Sequence, residues 1–401
     1  MASSRHLRAA PSRRMRASIA LSLLLLGVAT VDAGCGEDER LRGVGTPPGP
    51  EIPDAGEGFE AGVGGGGPPG PDAGGYCGNE VHQLIIEAPN LYFVIDASGS
   101  MAEPAPKGGN RYDAVRIAIV DLVRNLGPLA KVGAAVLPKK GGGAECVAGE
   151  EVFPVTQGDP ITGTGTDGPT TNGLRLATIT SPEGGTPVSA TLEGLAPTLL
   201  GLSGETYVVI ATDGGPNCNE MAMCDASGCM LNIEGHPLCD PSTNCCAPNG
   251  VGGPSHCVDQ AATVAAIDKL VAGGLHVVTL GIPGSETYAA VLDAMAVAGG
   301  LPRSGSPKYY RVDQLEEIGP VLAEIAKVAV TCEFTLADPP QEQGFTNVYL
   351  DGHVLPYGLP DGWIWEPPST VRLVGATCDR VQAGQVVNVQ IVSGCPTEVP
   401  K

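Results

Sequence analysis

Aromatic residues are scarce: five Phe, two Trp and nine Tyr make up 4% of the 401 positions. A chain so poor in large rings, with 58 Gly and 36 Pro, spends much of its length on linker and loop rather than packed core. Positive charge is also short. Lys and Arg number 23 against 44 Asp and Glu, a formal charge of −21, which argues against a nucleic-acid backbone as partner. No apolar run reaches the roughly 18 residues that read as a membrane-spanning helix. Catalytic constellations are missing as well. There is no Gly-x-Ser-x-Gly elbow, no His-Glu-x-x-His helix and no phosphate loop, and the six histidines are scattered, so the chain reads as non-enzymatic.

What the N-terminus does contain is an export signal. Arg5, Arg8, Arg13, Arg14 and Arg16 form a basic segment ahead of the apolar run Ile19 to Val31, so residues 1–34 read as a signal peptide. Ala33-Gly34-Cys35 resembles the end of a bacterial lipobox, with Cys35 the lipidated residue of a surface or outer-membrane lipoprotein. Asp32 departs from that pattern, and Val31-Asp32-Ala33 also suits ordinary cleavage and release as a periplasmic or secreted protein. Cysteine parity favours the anchor: of 13 cysteines, lipidation of Cys35 leaves an even number to pair in an oxidising compartment. The only contact with a membrane would be that lipid.

Residues 35–88 follow as a Gly/Pro-rich tether, including Gly64-Gly65-Gly66-Gly67-Pro68-Pro69, too polar to bury a core. About 40 residues of such coil span about 35 Å on average. From Leu91 the pattern changes to apolar strands alternating with amphipathic helices. Strands are expected at Leu91–Ile95, Val132–Leu137, Val152–Val155, Tyr207–Thr212, Leu275–Ile282 and Tyr309–Val312. Helices are expected at Arg111–Leu126, Pro187–Leu200, Val258–Ala272, Glu286–Ala298 and Gln314–Val330. That order implies an α/β, Rossmann-like, doubly wound and mostly parallel sheet over residues 89–331, with ligands at the carboxyl ends of its strands. Beyond Cys332, short strands at Phe334–Leu336, Asn347–Leu350, Thr370–Val374 and Val386–Val392 predict a small all-β module over 332–401. It would be stapled by Cys332, Cys378 and Cys395, one of them pairing elsewhere, with Cys77 or Cys146, and its core packed by Trp363 and Trp365.

The chemistry gathers at strand ends. Leu91-Tyr92-Phe93-Val94-Ile95 runs into Asp96-Ala97-Ser98-Gly99-Ser100, placing an acid and two hydroxyls at alternate positions, the donor set of a hard cation. Gly184-Gly185-Thr186-Pro187 and Asp213-Gly214 follow, the latter at the end of the Tyr207–Thr212 strand. Each piece alone has a plainer reading, as a turn or a helix cap. Together Asp96, Ser98, Ser100, Thr186 and Asp213 resemble the metal-ion-dependent adhesion site (MIDAS) of the von Willebrand factor A (vWA) family, Asp-x-Ser-x-Ser, then Thr, then Asp. The resemblance covers roughly residues 89–331. It implies direct ligation of Mg2+ by Ser98 and Ser100, with Mn2+ or Ca2+ as alternatives. Thr186 would come from a second loop, and Asp96 and Asp213 would act mainly through water. Hydroxyls add no charge, so the ion stays electrophilic and can take a carboxylate from a protein or glycan partner.

Seven cysteines, Cys218, Cys224, Cys229, Cys239, Cys245, Cys246 and Cys257, crowd the segment 216–257 directly after Asp213. A loop this long in a compact domain is a functional or disordered one, and disulfides argue against disorder. An odd count requires a bridge leaving the segment. His236 and His256 raise a structural zinc site as the rival, without a clean Cys-x-x-Cys pair to support it. The sequence thus describes an exported adhesion protein. The alternative is a scaffold subunit of an envelope complex whose metal only stabilises the domain.

Overall fold

The computed structural model describes residues 80–397, apart from 83, 86–87, 107, 140–144, 161–166, 359 and 384–387. The expected signal peptide, Cys35, Cys77 and the expected tether up to residue 79 lie outside the described residues. Two short strands come first, β1 (Glu80–Val81) and β2 (Leu84–Ile85), then β3 (Asn90–Asp96). The order continues α1 (Arg111–Leu126), β4 (Lys131–Leu137), β5 (Glu150–Gln157), α2 (Pro169–Ala177), α3 (Val188–Leu199) and β6 (Thr206–Thr212). Then come α4 (Met230–Ile233), α5 (Gln260–Ala272), β7 (His276–Gly281), α6 (Ala289–Ala298), β8 (Tyr310–Arg311) and α7 (Ile318–Ala329). The last part holds β9 (Glu333–Leu336), β10 (Thr346–Leu350), β11 (His353–Leu355), β12 (Gly362–Glu366), β13 (Thr370–Val374), α8 (Ala376–Gln382) and β14 (Val389–Ser393).

A six-stranded sheet of order β5-β4-β3-β6-β7-β8 forms the centre of the α/β domain. All its neighbours are parallel except the edge pair β4–β5. Such a sheet must be covered on both faces, which is why β3 is apolar at nearly every position. Successive side chains of a strand point to opposite faces, and β3 shows the division. Leu91, Phe93 and Ile95 enter the core beneath α1 and α7, while Tyr92 and Val94 enter the core beneath α3, α5 and α6. Helix α1 begins where the Asn110 side chain accepts from the Asp113 backbone N–H at 2.8 Å, and it stops at Gly127, whose φ is +53°. It buries Tyr112, Val115, Ile119, Val120, Leu122, Val123 and Leu126, each contributing about 1.5–3 kcal/mol.

Counted from β3, the strand order is 3-2-1-4-5-6, that of a doubly wound fold, and the winding reverses between β3 and β6. The expected α/β, doubly wound and mostly parallel sheet is therefore present. Helix α2 was not expected: its apolar positions are few, and only Gly168-Pro169 marks its start.

The module beyond Cys332 differs from expectation in two ways. It is a pair of four-stranded antiparallel sheets, β1-β14-β10-β11 and β12-β13-β9-β2, whose apolar faces share one core. β1 and β2 come from residues assigned to the tether, so the tether does not extend to 88 and the module is not confined to 332–401. These strands are two residues long, below the length at which alternation can be read. The second difference is α8, so the module is not all-β. β10 and β11 are joined by Asp351-Gly352 with both φ positive (+49° and +82°), a two-residue hairpin turn matched to strand twist. Trp363 is fully buried, donates from Nε1 to the Leu355 carbonyl at 3.2 Å and meets Trp365 edge-on, so the pair packs core as expected. The α/β domain is thus inserted between β2 and β9, and Cys332–Cys378 ties its exit to α8.

Candidate metal centre

The β3 and β6 ends at the switch point carry the two acids. Asp96 is 1% exposed and Asp213 2%. Asp96 Oδ1 accepts from the Ser98 backbone N–H at 2.8 Å, and its Oδ2 accepts from the Thr212 hydroxyl at 2.5 Å. The Ser98 and Ser100 hydroxyls lie 3.2 Å apart, and Ser100 donates to Asp213 Oδ1 at 2.7 Å. The chain can turn back here because residues Gly99–Ala102 form one 3-10 turn. The structure therefore brings Asp96, Ser98, Ser100 and Asp213 into one hydrogen-bonded cluster.

Thr186 joins through its backbone. Gly99 N–H donates to the Gly184 carbonyl at 2.9 Å, and Glu183 N–H donates to the Ala97 carbonyl at 2.8 Å, lacing the second loop to the first. Gly184 sits at φ +82°, where a Cβ would also press on the Glu145 carbonyl, so glycine is required. Asn217 then holds Thr186 from the other side: its Oδ1 accepts from Thr186 N–H at 2.6 Å and its own N–H donates to the Thr186 carbonyl at 2.9 Å. Among the described residues the Thr186 hydroxyl makes no hydrogen bond to protein.

Asp96 does close an Asx turn onto the Ser98 N–H, but the cap readings of Ser98 and Thr186 fail on geometry. Ser98 precedes its 3-10 turn without a side-chain cap, and the residue capping α3 is Pro187, not Thr186. Asp213 accepts from Ser100 and Arg111 rather than closing a turn.

Electrostatics points the same way. Burial first, and then the nearby Asp213 carboxylate, push the Asp96 pKa up to about 7. Burial also raises Asp213, against the lowering pull of Ser100 and the Arg111 guanidinium. Arg111 Nη1 lies 2.7 Å from Asp213 Oδ2, and Nη2 lies 2.5 Å from Glu103 Oε2. Of the two buried carboxylates only Asp213 is paired with the guanidinium, which it shares with the exposed Glu103. When both buried acids are ionised they exceed the positive charge of Arg111 by one, and an uncompensated buried charge costs several kcal/mol. An oxygen-only donor set with an idle hydroxyl and excess negative charge fits a hard divalent cation. Ser98, Ser100 and Thr186 would hold it, with Asp96 and Asp213 behind them.

Arg111, Glu103, Thr212 and Asn217 escaped the sequence reading. Arg111 did leave a signal: it is the first residue of α1, where the helix dipole disfavours a cation unless an acid is close.

The cysteine-rich segment begins at the same place. Cys224–Cys257, Cys229–Cys246 and Cys239–Cys245 close it internally, and Cys146–Cys218 carries the expected bridge out of it, to the loop after β4. The sulfurs of Cys224, Cys246 and Cys257 lie within 4.8 Å of one another but belong to disulfides, which removes them from a zinc site. His256 Nδ1 is 2.7 Å from the Gly252 carbonyl. Cys146 is excluded as a partner for Cys395, which is itself disulfide-bonded. The segment's neck is held by Asp259, whose carboxylate accepts from Ser189 at 2.6 Å and from Asn219 at 2.9 Å. Its exposed apolar side chains are Met221, Met223, Leu238 and Val251.

No family model and no curated protein matches the chain. Among solved structures it is similar to the pilus adhesin SpaC from Lactobacillus rhamnosus GG, at 16% identity and a TM-score of 0.45, over 77% of this chain and 39% of that one. The vWF domain of the type V pili tip protein Mfa5 from Porphyromonas gingivalis aligns at 12% identity and 0.40, over 61% of this chain and 95% of that one. The PilB minor pilin from Streptococcus sanguinis aligns at 17% and 0.40, over 59% and 60%. The chain spans well under half of the SpaC structure. These likenesses are distant.

Proposed function

We propose that this chain is an exported binding protein that holds a Mg2+-type ion at Ser98, Ser100 and Thr186 and uses it to capture a carboxylate on a protein or glycan partner. The observation that carries the reading is the clustering of the Ser98 and Ser100 hydroxyls with two buried carboxylates of which only Asp213 is paired with a positive charge, beside the loop that carries Thr186. Mn2+ or Ca2+ suits the same oxygens. The role is binding rather than catalysis, and no nucleic acid is involved, given the excess of acid.

Cys35 is proposed as the lipid anchor that holds the domain at the outer membrane or cell surface. All eleven described cysteines are disulfide-bonded, and Cys395 draws its partner from outside the described residues. With 13 cysteines in total, one is left over, as an anchor requires. Among the described residues no helix is long and apolar enough to cross a membrane. The cysteine-rich segment, starting three residues from Asp213, is proposed to select the partner by its stapled shape.

The test is capture of envelope proteins and glycans by wild type, Ser98→Ala and Asp213→Ala, with and without EDTA. Capture should need the divalent ion and both side chains. Capture that survives both chelation and Asp213→Ala removes the adhesion mechanism and leaves the metal, if bound, a structural part of an envelope scaffold.

A further inference from the structure

Among the described residues Arg111 is the one strong positive charge bonded to the cluster, and it is placed there at some expense. It stands at the first position of α1, where the helix dipole opposes a cation. Its guanidinium is divided between a buried acid and a surface one: Nη1 on Asp213 Oδ2, Nη2 on Glu103 Oε2. The Arg111 side chain is 18% exposed and the Asp213 side chain is fully buried, whereas Glu103 is 60% exposed. Water therefore screens the Glu103 charge far more than the Asp213 charge. Gly284, at φ +112°, packs its backbone over the pair, and a Cβ there would meet Arg111 Nη1 at 2.9 Å.

We infer that Arg111 sets the balance between holding the cation and attracting the partner's anion. This inference rests on the metal reading above. Charge counting gives the reason. Asp96 and Asp213 alone would neutralise a divalent ion completely, leaving a tightly bound ion with no net pull on a carboxylate. With Arg111 in place the two acids and the guanidinium sum to minus one, and the loaded site is net positive. The same guanidinium repels the ion, so the cation is held more weakly and the carboxylate more strongly. Arg111 also takes Asp213 Oδ2, which leaves Oδ1, bonded to Ser100, as the oxygen that faces the hydroxyls. Glu103 acts in the opposite sense: it draws on the outer nitrogen of Arg111, so its removal should strengthen the pull on a carboxylate.

The experiment is calorimetric titration of the folded full chain with Mn2+, alone and with saturating acetate as the carboxylate probe, buffers matched for acetate's own complexation of the metal. By linkage, an anion that binds the loaded site tightens Mn2+ binding by the factor that Mn2+ tightens its own. For wild type, acetate should tighten Mn2+ binding. Arg111→Gln should bind Mn2+ about tenfold more tightly or better and lose the acetate effect. Arg111→Lys should stay near wild type on both counts, and Glu103→Gln should bind Mn2+ more weakly with a larger acetate effect. Equal or weaker Mn2+ binding by a folded Arg111→Gln, with wild type binding Mn2+, overturns the role of Arg111 and leaves the metal site standing. Wild type that binds no Mn2+ overturns both. If Arg111→Gln fails to fold, Glu103→Gln decides, and no change from wild type in either measurement overturns the inference.

Discussion

Asp96 shows how burial couples the cluster to pH. Its carboxyl titrates near 7 in the native chain because burial, and then Asp213, disfavour its charged form, whereas an unfolded aspartate titrates near about 3.9. Between those values the native chain binds more protons than the unfolded one. The stability this group contributes is therefore complete below about pH 4 and is lost as pH rises through about 7. In EDTA, Asp96→Asn should melt above wild type at pH 8, with the gap closing towards pH 5. Excess Mg2+ should reverse the order at pH 8. A gap in EDTA that does not depend on pH would contradict the assignment. At this scale the acids and hydroxyls were legible in sequence, since Asp96, Ser98 and Ser100 follow an unbroken apolar strand. Asn217 was not, because its bonds run to the backbone of Thr186, 31 positions away, and no local pattern records such a partner.

Elements were legible where a period was long enough to read. Helix α1 and the strands β3, β4, β6 and β7 fall where alternation and helical spacing place them. Helix α2 carries too few regularly spaced apolar residues, and strand β12, five residues long, offers only Trp363-Ile364-Trp365. The cysteine-rich segment is a different case: its seven cysteines announced disulfides, but the pairing depends on spatial proximity. Cys146–Cys218 fastens the neck of the segment to the loop after β4, next to Gly185, whose N–H donates to the Glu145 carbonyl at 2.9 Å. Replacing both cysteines by serine should lower stability by about 2–4 kcal/mol, read from denaturant midpoints. Mn2+ affinity should fall less than the affinity for a captured partner, because the metal donors keep their backbone ties while the segment loses one. Partner affinity unchanged by that pair of substitutions would remove the segment from recognition.

For the whole molecule, the insertion of the α/β domain between β2 and β9 was hidden from the sequence. β1 and β2 meet β14 and β9 only after roughly 250–310 intervening residues, as the pairs Glu80 with Ser393 and Leu84 with Leu336 show. His82 fixes the junction, with Nδ1 2.7 Å from the Asp338 carbonyl and Nε2 2.7 Å from Ser393 Oγ. A chain beginning at residue 89 should therefore lose about 2 kcal/mol or more of stability, from two strand edges and one buried histidine. Thermal unfolding against a chain beginning at residue 76 checks this, and equal melting would return residues 80–88 to the tether. The central claim is that the intact molecule carries a divalent ion where β3 and β6 end. Its most direct test is a crystal of the wild-type chain grown in Mn2+ and measured for anomalous scattering. The account predicts one strong peak within coordination distance of the Ser98 and Ser100 hydroxyls, absent from Ser98→Ala. A map with no peak there, and Asp213 still paired with Arg111 at saturating Mn2+, would contradict it.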